Sequence, residues 1–186
     1  MLTGLRTLVL NSNYMPISLF PLHTIPAEDA VTRCFNETCH VVFDYNRKIK
    51  TAKIEMNWPS VIARNDMLKV KEKVKLRAES IFYRDHGRCA YCLEPITIKS
   101  LTFDHVHPQS LGGPHTWENV VAACPRCNLK KSNKLPEGEW VPKTVPHEPT
   151  YYQLLAERRK FPITVPDENW VPFLGKWESE IIVKGG

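Results

Sequence analysis

Cys89-Ala90-Tyr91-Cys92 and Cys124-Pro125-Arg126-Cys127 decide how this chain is read. Each is a Cys-x-x-Cys hook that presents two thiolates from one turn. Thirty-one residues lie between the hooks. Four thiolates complete a tetrahedral set, which suits Zn2+. Such a closed set leaves no open coordination position, so its expected role is structural. It would clamp the segment between the hooks and couple metal binding to folding. The gap is longer than a zinc ribbon needs, so the hooks enclose something with a task of its own. One hook alone fits a redox pair as well as a metal; two in tandem with basic flanks favour the metal. Cys34 and Cys39 stand apart, in a helix-to-strand stretch, and read as free buried thiols.

The enclosed segment contains Phe103-Asp104-His105-Val106-His107-Pro108, then Gly112-Gly113-Pro114-His115, then Trp117-Glu118-Asn119-Val120. The second hook runs on into Asn128-Leu129-Lys130-Lys131-Ser132-Asn133-Lys134. Imidazole titrates near neutral pH, so His105 is suited to take a proton from water as a general base. Asp104 and Asn128 offer hard oxygen ligands, which point to Mg2+ or Mn2+ rather than a catalytic zinc. His107 lies two residues past His105 and would share its face on an extended strand, as a phosphate contact or support for the metal. His115 reads as an exposed loop residue. No acid occurs between residues 119 and 136. Arg126, Lys130 and Lys134 are spaced i, i+4, i+8, and with Lys131 they predict a basic helical face for phosphate contact. A merely solvated face is the competing reading. Tyr91 is expected to pack over the site, and Trp117 under the loop.

Five spaced features agree: both hooks, Asp104-His105, Gly112-Gly113, Glu118-Asn119-Val120, and Cys127-Asn128 followed by Lys131. On them, residues 80–135 resemble the HNH endonuclease family in its four-cysteine form, a match over under a third of the chain. The resemblance implies a treble-clef-like ββα-metal core and hydrolysis of DNA phosphodiester bonds. It gives His105 the role of general base, and Asp104 and Asn128 that of holding the divalent ion, with Asn at a position where many members carry His. Asn119 would bond the loop backbone and hold His105 in orientation. Physics alone does not separate DNA from RNA here; DNA comes from the resemblance. Leu8-Val9-Leu10-Asn11 and Pro59-Ser60-Val61-Ile62 are similar, more loosely, to an N-terminal region found in some bacterial and phage HNH proteins.

The rest of the chain sets bounds. It has 186 residues, six Cys and a formal net charge of +5. That length supports an ordinary core without disulfides. Residues 64–134 carry a net +6, and residues 135–186 a net −2, so the basic excess coincides with the hooks. Seven of the fifteen Pro lie from Pro136 onward, where Trp140, Trp170 and Trp177 would anchor an extended tail. No apolar run approaches ~20 residues, so no membrane span is expected. The N-terminus lacks the basic and apolar regions of a secretory signal, which suggests a cytoplasmic protein, bacterial or phage-encoded.

The expected organisation is α+β: residues 1–75 as a small α+β region, 76–135 as the nuclease domain with its zinc site, and 136–186 as a Pro-rich extension. Strands are expected at Thr7–Leu10, Cys39–Tyr45, Lys50–Met56 and Leu101–Phe103, with a second apolar run at Ile17–Phe20. Helices are expected at Pro26–Asn36, Arg77–Asp85 and Pro125–Asn133. Lys69, Lys71, Lys73 and Lys75 would form one cationic stripe on a strand. Residues 1–75 are the candidate surface for a second copy or a protein partner. The alternative function is a zinc-organised nucleic-acid-binding module without cleavage. A pure binder does not need Asp104, His105, Asn119 and Asn128 together, so their presence favours the enzyme.

Overall fold

The computed structural model describes residues 4–50, 55–69 and 74–184. The chain divides into two compact units: Met1–Lys71 with Arg159–Gly186, and Glu72–Arg158.

In the first unit, β1 (Arg6–Leu10), β2 (Thr24–Pro26), β3 (Cys39–Lys50) and β4 (Glu55–Arg64) form a four-stranded sheet in the order β2-β1-β4-β3. β1 runs parallel to β4, with Leu8 opposite Val61 and Leu10 opposite Ala63. The other two pairings are antiparallel. Helix α1 (Ala27–Phe35) starts after Pro26, with Glu28 and Asp29 in its first turn and Arg33 in its last, as the helix dipole favours. Successive strand side chains point to opposite faces. Val9 and Ile62 therefore face one way, onto Ile25, Ala30 and Cys39. Leu8, Leu10, Val61 and Ala63 face the other way, onto Ile163, Val165, Trp170 and Leu174. Both faces are covered, which is why Leu8–Leu10 of β1 and Val61–Ala63 of β4 are apolar at every position. Each buried Leu or Val contributes about 1.5–3 kcal/mol.

The cover on the second face comes from the C-terminal segment. Strands β7 (Ile163–Val165) and β8 (Ile181–Val183) pair in parallel. Trp170 is 2% exposed, and its indole N–H donates to the Ser60 carbonyl and hydroxyl, both at 3.0 Å. Cys34 and Cys39 are free thiols, and burial pushes the Cys34 thiol up to about 11, so it is inert near neutral pH. Ile17–Phe20 does not join the sheet as a regular strand, because Pro16 and Pro21 remove ladder donors at both of its ends. Lys71 and Lys73 of the alternating stripe lie outside the described residues, as do residues 51–54 between β3 and β4. Lys69 and Lys75 lie in irregular segments. No helix among the described residues is long and apolar enough to cross a membrane.

In the second unit, α2 (Ala78–Arg84) leads through a turn, with Gly87 at φ +66°, to the first hook. Strands β5 (Thr102–His105) and β6 (Val120–Ala123) form an antiparallel ribbon, and α3 (Pro125–Lys131) follows directly, giving the ββα order. All four β6 side chains are buried, on two different clusters. Val120 and Ala122 pack with Ile81 and Trp117, while Val121 and Ala123 pack with Cys89, Tyr91 and Cys127. A buried pair ties this ribbon to α2. Asp85 accepts the Ala122 N–H at 2.7 Å, while Arg84 donates to the Trp117 and Val120 carbonyls at 2.8 and 2.7 Å. A further helix, α4 (Tyr151–Arg159), closes the unit.

Candidate active site

The first hook and the N-terminus of α3 bring four sulfurs together. The Sγ atoms of Cys89, Cys92, Cys124 and Cys127 all lie within 4.8 Å of one another. A tetrahedral Zn2+ with ~2.3 Å bonds separates its sulfurs by about 3.8 Å. The Cys92 and Cys124 sulfurs are 3.9 Å apart, so the set fits zinc with little movement. Burial by itself would raise the Cys92 thiol, but the Glu94 N–H and the neighbouring sulfurs outweigh it and bring it down to about 7. Burial raises Cys89 and Cys127 instead. Such a set sheds all its protons only for a cation. Tyr91 and Trp140 cap this cluster, their rings edge to face at 5.8 Å.

Asp104 sits in β5, opposite Val121, and is 4% exposed. The Tyr91 hydroxyl donates to its Oδ2. The Lys131 Nζ lies 3.1 Å from Oδ2 and 3.3 Å from Oδ1. Burial, then Asp104, push the Tyr91 phenol up, so it stays protonated and donating. A carboxylate has about four lone-pair sites, and these contacts take about three, leaving room for one further bond. Asn128 donates from Nδ2 to the Phe103 carbonyl at 3.3 Å, which leaves its Oδ1 available. One free carboxylate site and one amide oxygen suit an ion that keeps most of its waters, as Mg2+ does.

Lys131 does not stand on the basic face that the sequence predicts. It is fully buried, paired with Asp104, and donates to the His105 carbonyl at 2.7 Å. The reason is the ββα packing: the last turn of α3 lies over β5, and the long stem reaches under the ribbon. Lys134 also leaves that face. The helix ends at Lys131, Ser132 turns at φ +50°, and the Lys134 ammonium lies 5.0 Å above the Trp140 ring. Arg126 and Lys130 are exposed on α3, with Arg126 against the Cys92 sulfur.

His105 ends β5 half-buried. Its Nε2 lies 3.0 Å from the Nδ1 of His115, and the ring centroids are 5.2 Å apart. Burial most of all, and then His115, push the His105 imidazole below its ordinary value; Asp104 pulls it back up and Lys131 adds to the lowering. That lowering favours the neutral ring, the form in which a base accepts a proton.

The loop after His105 is held by Asn119. Asn119 Oδ1 accepts the His107 N–H at 2.8 Å, and Nδ2 donates to the His107 and Pro114 carbonyls at 3.0 and 2.8 Å. His107 itself is exposed and enters through its backbone. Gly113 lets the loop close: a Cβ there would lie 1.8 Å from the His107 carbonyl oxygen. Gly113→Ala is expected to destabilise by about 1–3 kcal/mol and to displace the loop, since the clash is with backbone that cannot rotate away. An unchanged melting temperature would show that the loop accommodates the methyl group.

Sequence reasoning missed three contacts. His115 reads as a bare loop residue, yet it touches His105. Tyr91 reads as packing, yet its hydroxyl holds Asp104. Lys131 is spaced like a surface cation, yet it lies beneath the site. The Cys127-Asn128-x-x-Lys131 spacing was the one available signal, since it places Lys131 one turn past Cys127 on the same helix side.

Comparison with known proteins agrees with this geometry. Residues 89–134 match the family model described as HNH endonuclease. Residues 7–72 match the one described as HNH endonuclease-associated, N-terminal domain. A 62-residue stretch is 42% identical to the CRISPR-associated endonuclease Cas9 of Corynebacterium diphtheriae. That match takes in 33% of this chain and 6% of the relative, so the chain spans a small fraction of that protein.

Proposed function

We propose that this chain, which carries an HNH endonuclease domain and the N-terminal domain associated with it, is a metal-dependent endonuclease that hydrolyses DNA phosphodiester bonds. The observation that carries the reading is His105: half-buried, with Nε2 engaged and no protein partner at Nδ1 among the described residues. Nδ1 is the atom that takes the proton from the attacking water. Asp104 and the free oxygen of Asn128 are the residues that would hold a Mg2+ or Mn2+ ion, one that keeps most of its waters. That ion, when bound, supplies charge stabilisation at the phosphate and the leaving 3′ oxygen.

The chain's own residues do the rest. Tyr91 and Lys131 fix the Asp104 carboxylate, and Lys131 also fixes the backbone of His105. Asn119 holds the loop that borders the base. Arg126 and Lys130 offer phosphate contacts that position the duplex without reading its sequence, and Lys134, over the Trp140 ring, is a further exposed cation near them in sequence. The four cysteines hold a structural zinc and take no part in the chemistry.

A second reading has one observation in its favour. The charge of Asp104 is already matched by a fully buried lysine, which weakens its pull on a divalent ion and would suit a module that binds nucleic acid without cutting. Supercoiled plasmid incubated with and without Mg2+ or Mn2+ separates the two. Nicked product that appears only with the ion supports the nuclease. Gel retardation with no product under either ion would make the chain a binder.

A further inference from the structure

His115 stands ten residues beyond His105, across the Gly112-Gly113 loop, and its contact with His105 is built from several sides. Asn119 ties the two ends of the loop, at His107 and Pro114, to one amide. Gly113 allows the loop to lie against the His107 carbonyl. His115 follows Pro114 directly, so fixing Pro114 fixes where it leaves the loop. Its ring then meets Phe103 edge to face at 6.1 Å and His105 at 5.2 Å. The result is one hydrogen bond between two imidazoles, His105 Nε2 to His115 Nδ1, at 3.0 Å.

That bond has two forms. In one, His105 carries its proton on Nε2 and donates it. In the other, His115 donates from Nδ1 and His105 carries its proton on Nδ1. A neutral imidazole has one N–H and one lone pair, so the choice decides which atom of His105 is basic. In the second form the lone pair of His105 is spent on His115, and Nδ1 has nothing with which to take a proton from water. In the first form the lone pair is on Nδ1, the ring nitrogen with no protein partner among the described residues.

We propose that His115 is a positioning residue that accepts the Nε2–H of His105, and so holds His105 in the tautomer whose Nδ1 is the base. This rests on the reading of His105 as the general base. In this role His115 presents Nδ1 to His105 and turns its Nε2 edge to water, as its exposure allows. His115 does not touch the scissile phosphate in this role.

The test is a tautomer measurement beside a kinetic one, on the full zinc-loaded chain. Two-bond proton–nitrogen correlation spectra of 15N-histidine-labelled protein, above pH 7, report which nitrogen of His105 carries the proton. The expected wild-type signal is Nε2–H. His115→Ala and His115→Phe are expected to mix the tautomers and to lower kcat for plasmid nicking by about tenfold to a hundredfold, the usual cost of losing a partner that orients a functional imidazole, with KM little changed. His115→Phe keeps a ring against Phe103 but has no acceptor. His115→Asn places an amide oxygen near the lost Nδ1, and is expected to restore the Nε2–H signal and most of kcat. Zinc content and melting should match wild type in all three.

A wild-type His105 protonated on Nδ1 would overturn the proposal. So would an Ala variant with unchanged tautomer and kcat, or Asn and Phe variants that behave alike. The spectrum decides the bond whether or not the plasmid is cut. Absent cleavage by wild type with an Nε2–H signal would instead strike the nuclease reading.

Discussion

His105→Ala is expected to lower nicking of supercoiled plasmid by about 10²–10⁴-fold, the usual contribution of a general base. The substitution should leave the fold alone. Among the described residues the His105 side chain hydrogen-bonds only His115, while the contact that ties this residue to the interior, Lys131 to its carbonyl, belongs to the backbone and survives. Zinc content, melting temperature and plasmid retention in gel shifts should therefore match wild type. Retained binding with lost cleavage is the pattern of a missing base. Undiminished cleavage by clean variant protein would take His105 out of that role.

Cys89→Ser is expected to have the largest effect on stability. Cys89 is fully buried, packed with Val121, Ala123 and Cys127, so its sulfur is both a ligand and part of a core. Structural zinc sites contribute about 10–16 kcal/mol of apparent binding free energy, as much as the ~5–15 kcal/mol stability of a whole domain. Losing one thiolate from the set should release the ion and unfold the ribbon and α3 with it. Elemental analysis should find one zinc per wild-type chain and much less in the variant, and a chelator should lower the wild-type melting temperature in the same way. A variant with full zinc content and unchanged melting would end the structural assignment.

The legible parts of the molecule are those fixed by local spacing. The hooks needed only two turns, each with cysteines three apart, and the geometry followed. Helix α1 was visible from Pro26 and its acidic first turn, because dipole and backbone effects act within a few residues. The illegible parts depend on which strand meets which. Lys131 looks like any surface lysine until α3 is laid over β5, and then it has nowhere to go but under Asp104. Arg84 and Asp85 are adjacent opposite charges, common on any surface; only the position of β6 shows that they are buried and satisfy its backbone. His115 was unreadable because its partner lies across a loop whose path is set by Asn119. Thr7–Leu10 reads as a strand, but nothing in residues 1–75 says that the cover on its second face arrives from residues 159–186.

That late cover sets an order of events during synthesis. Chains leave the ribosome N-terminus first, and domains generally fold as units as they emerge. Leu8, Leu10, Val61 and Ala63 are made first, but Ile163, Val165, Trp170 and Leu174, which pack against them, are translated about 100 residues or more after Ala63. The unit formed by Glu72–Arg158 is contiguous and has all four sulfurs well before that point. The middle of the chain is thus able to take up its metal and close while the earlier sheet still waits with one face bare. A nascent chain stalled before Trp170 is expected to have all four cysteines of the hooks in hand while the sheet still lacks the cover of its second face.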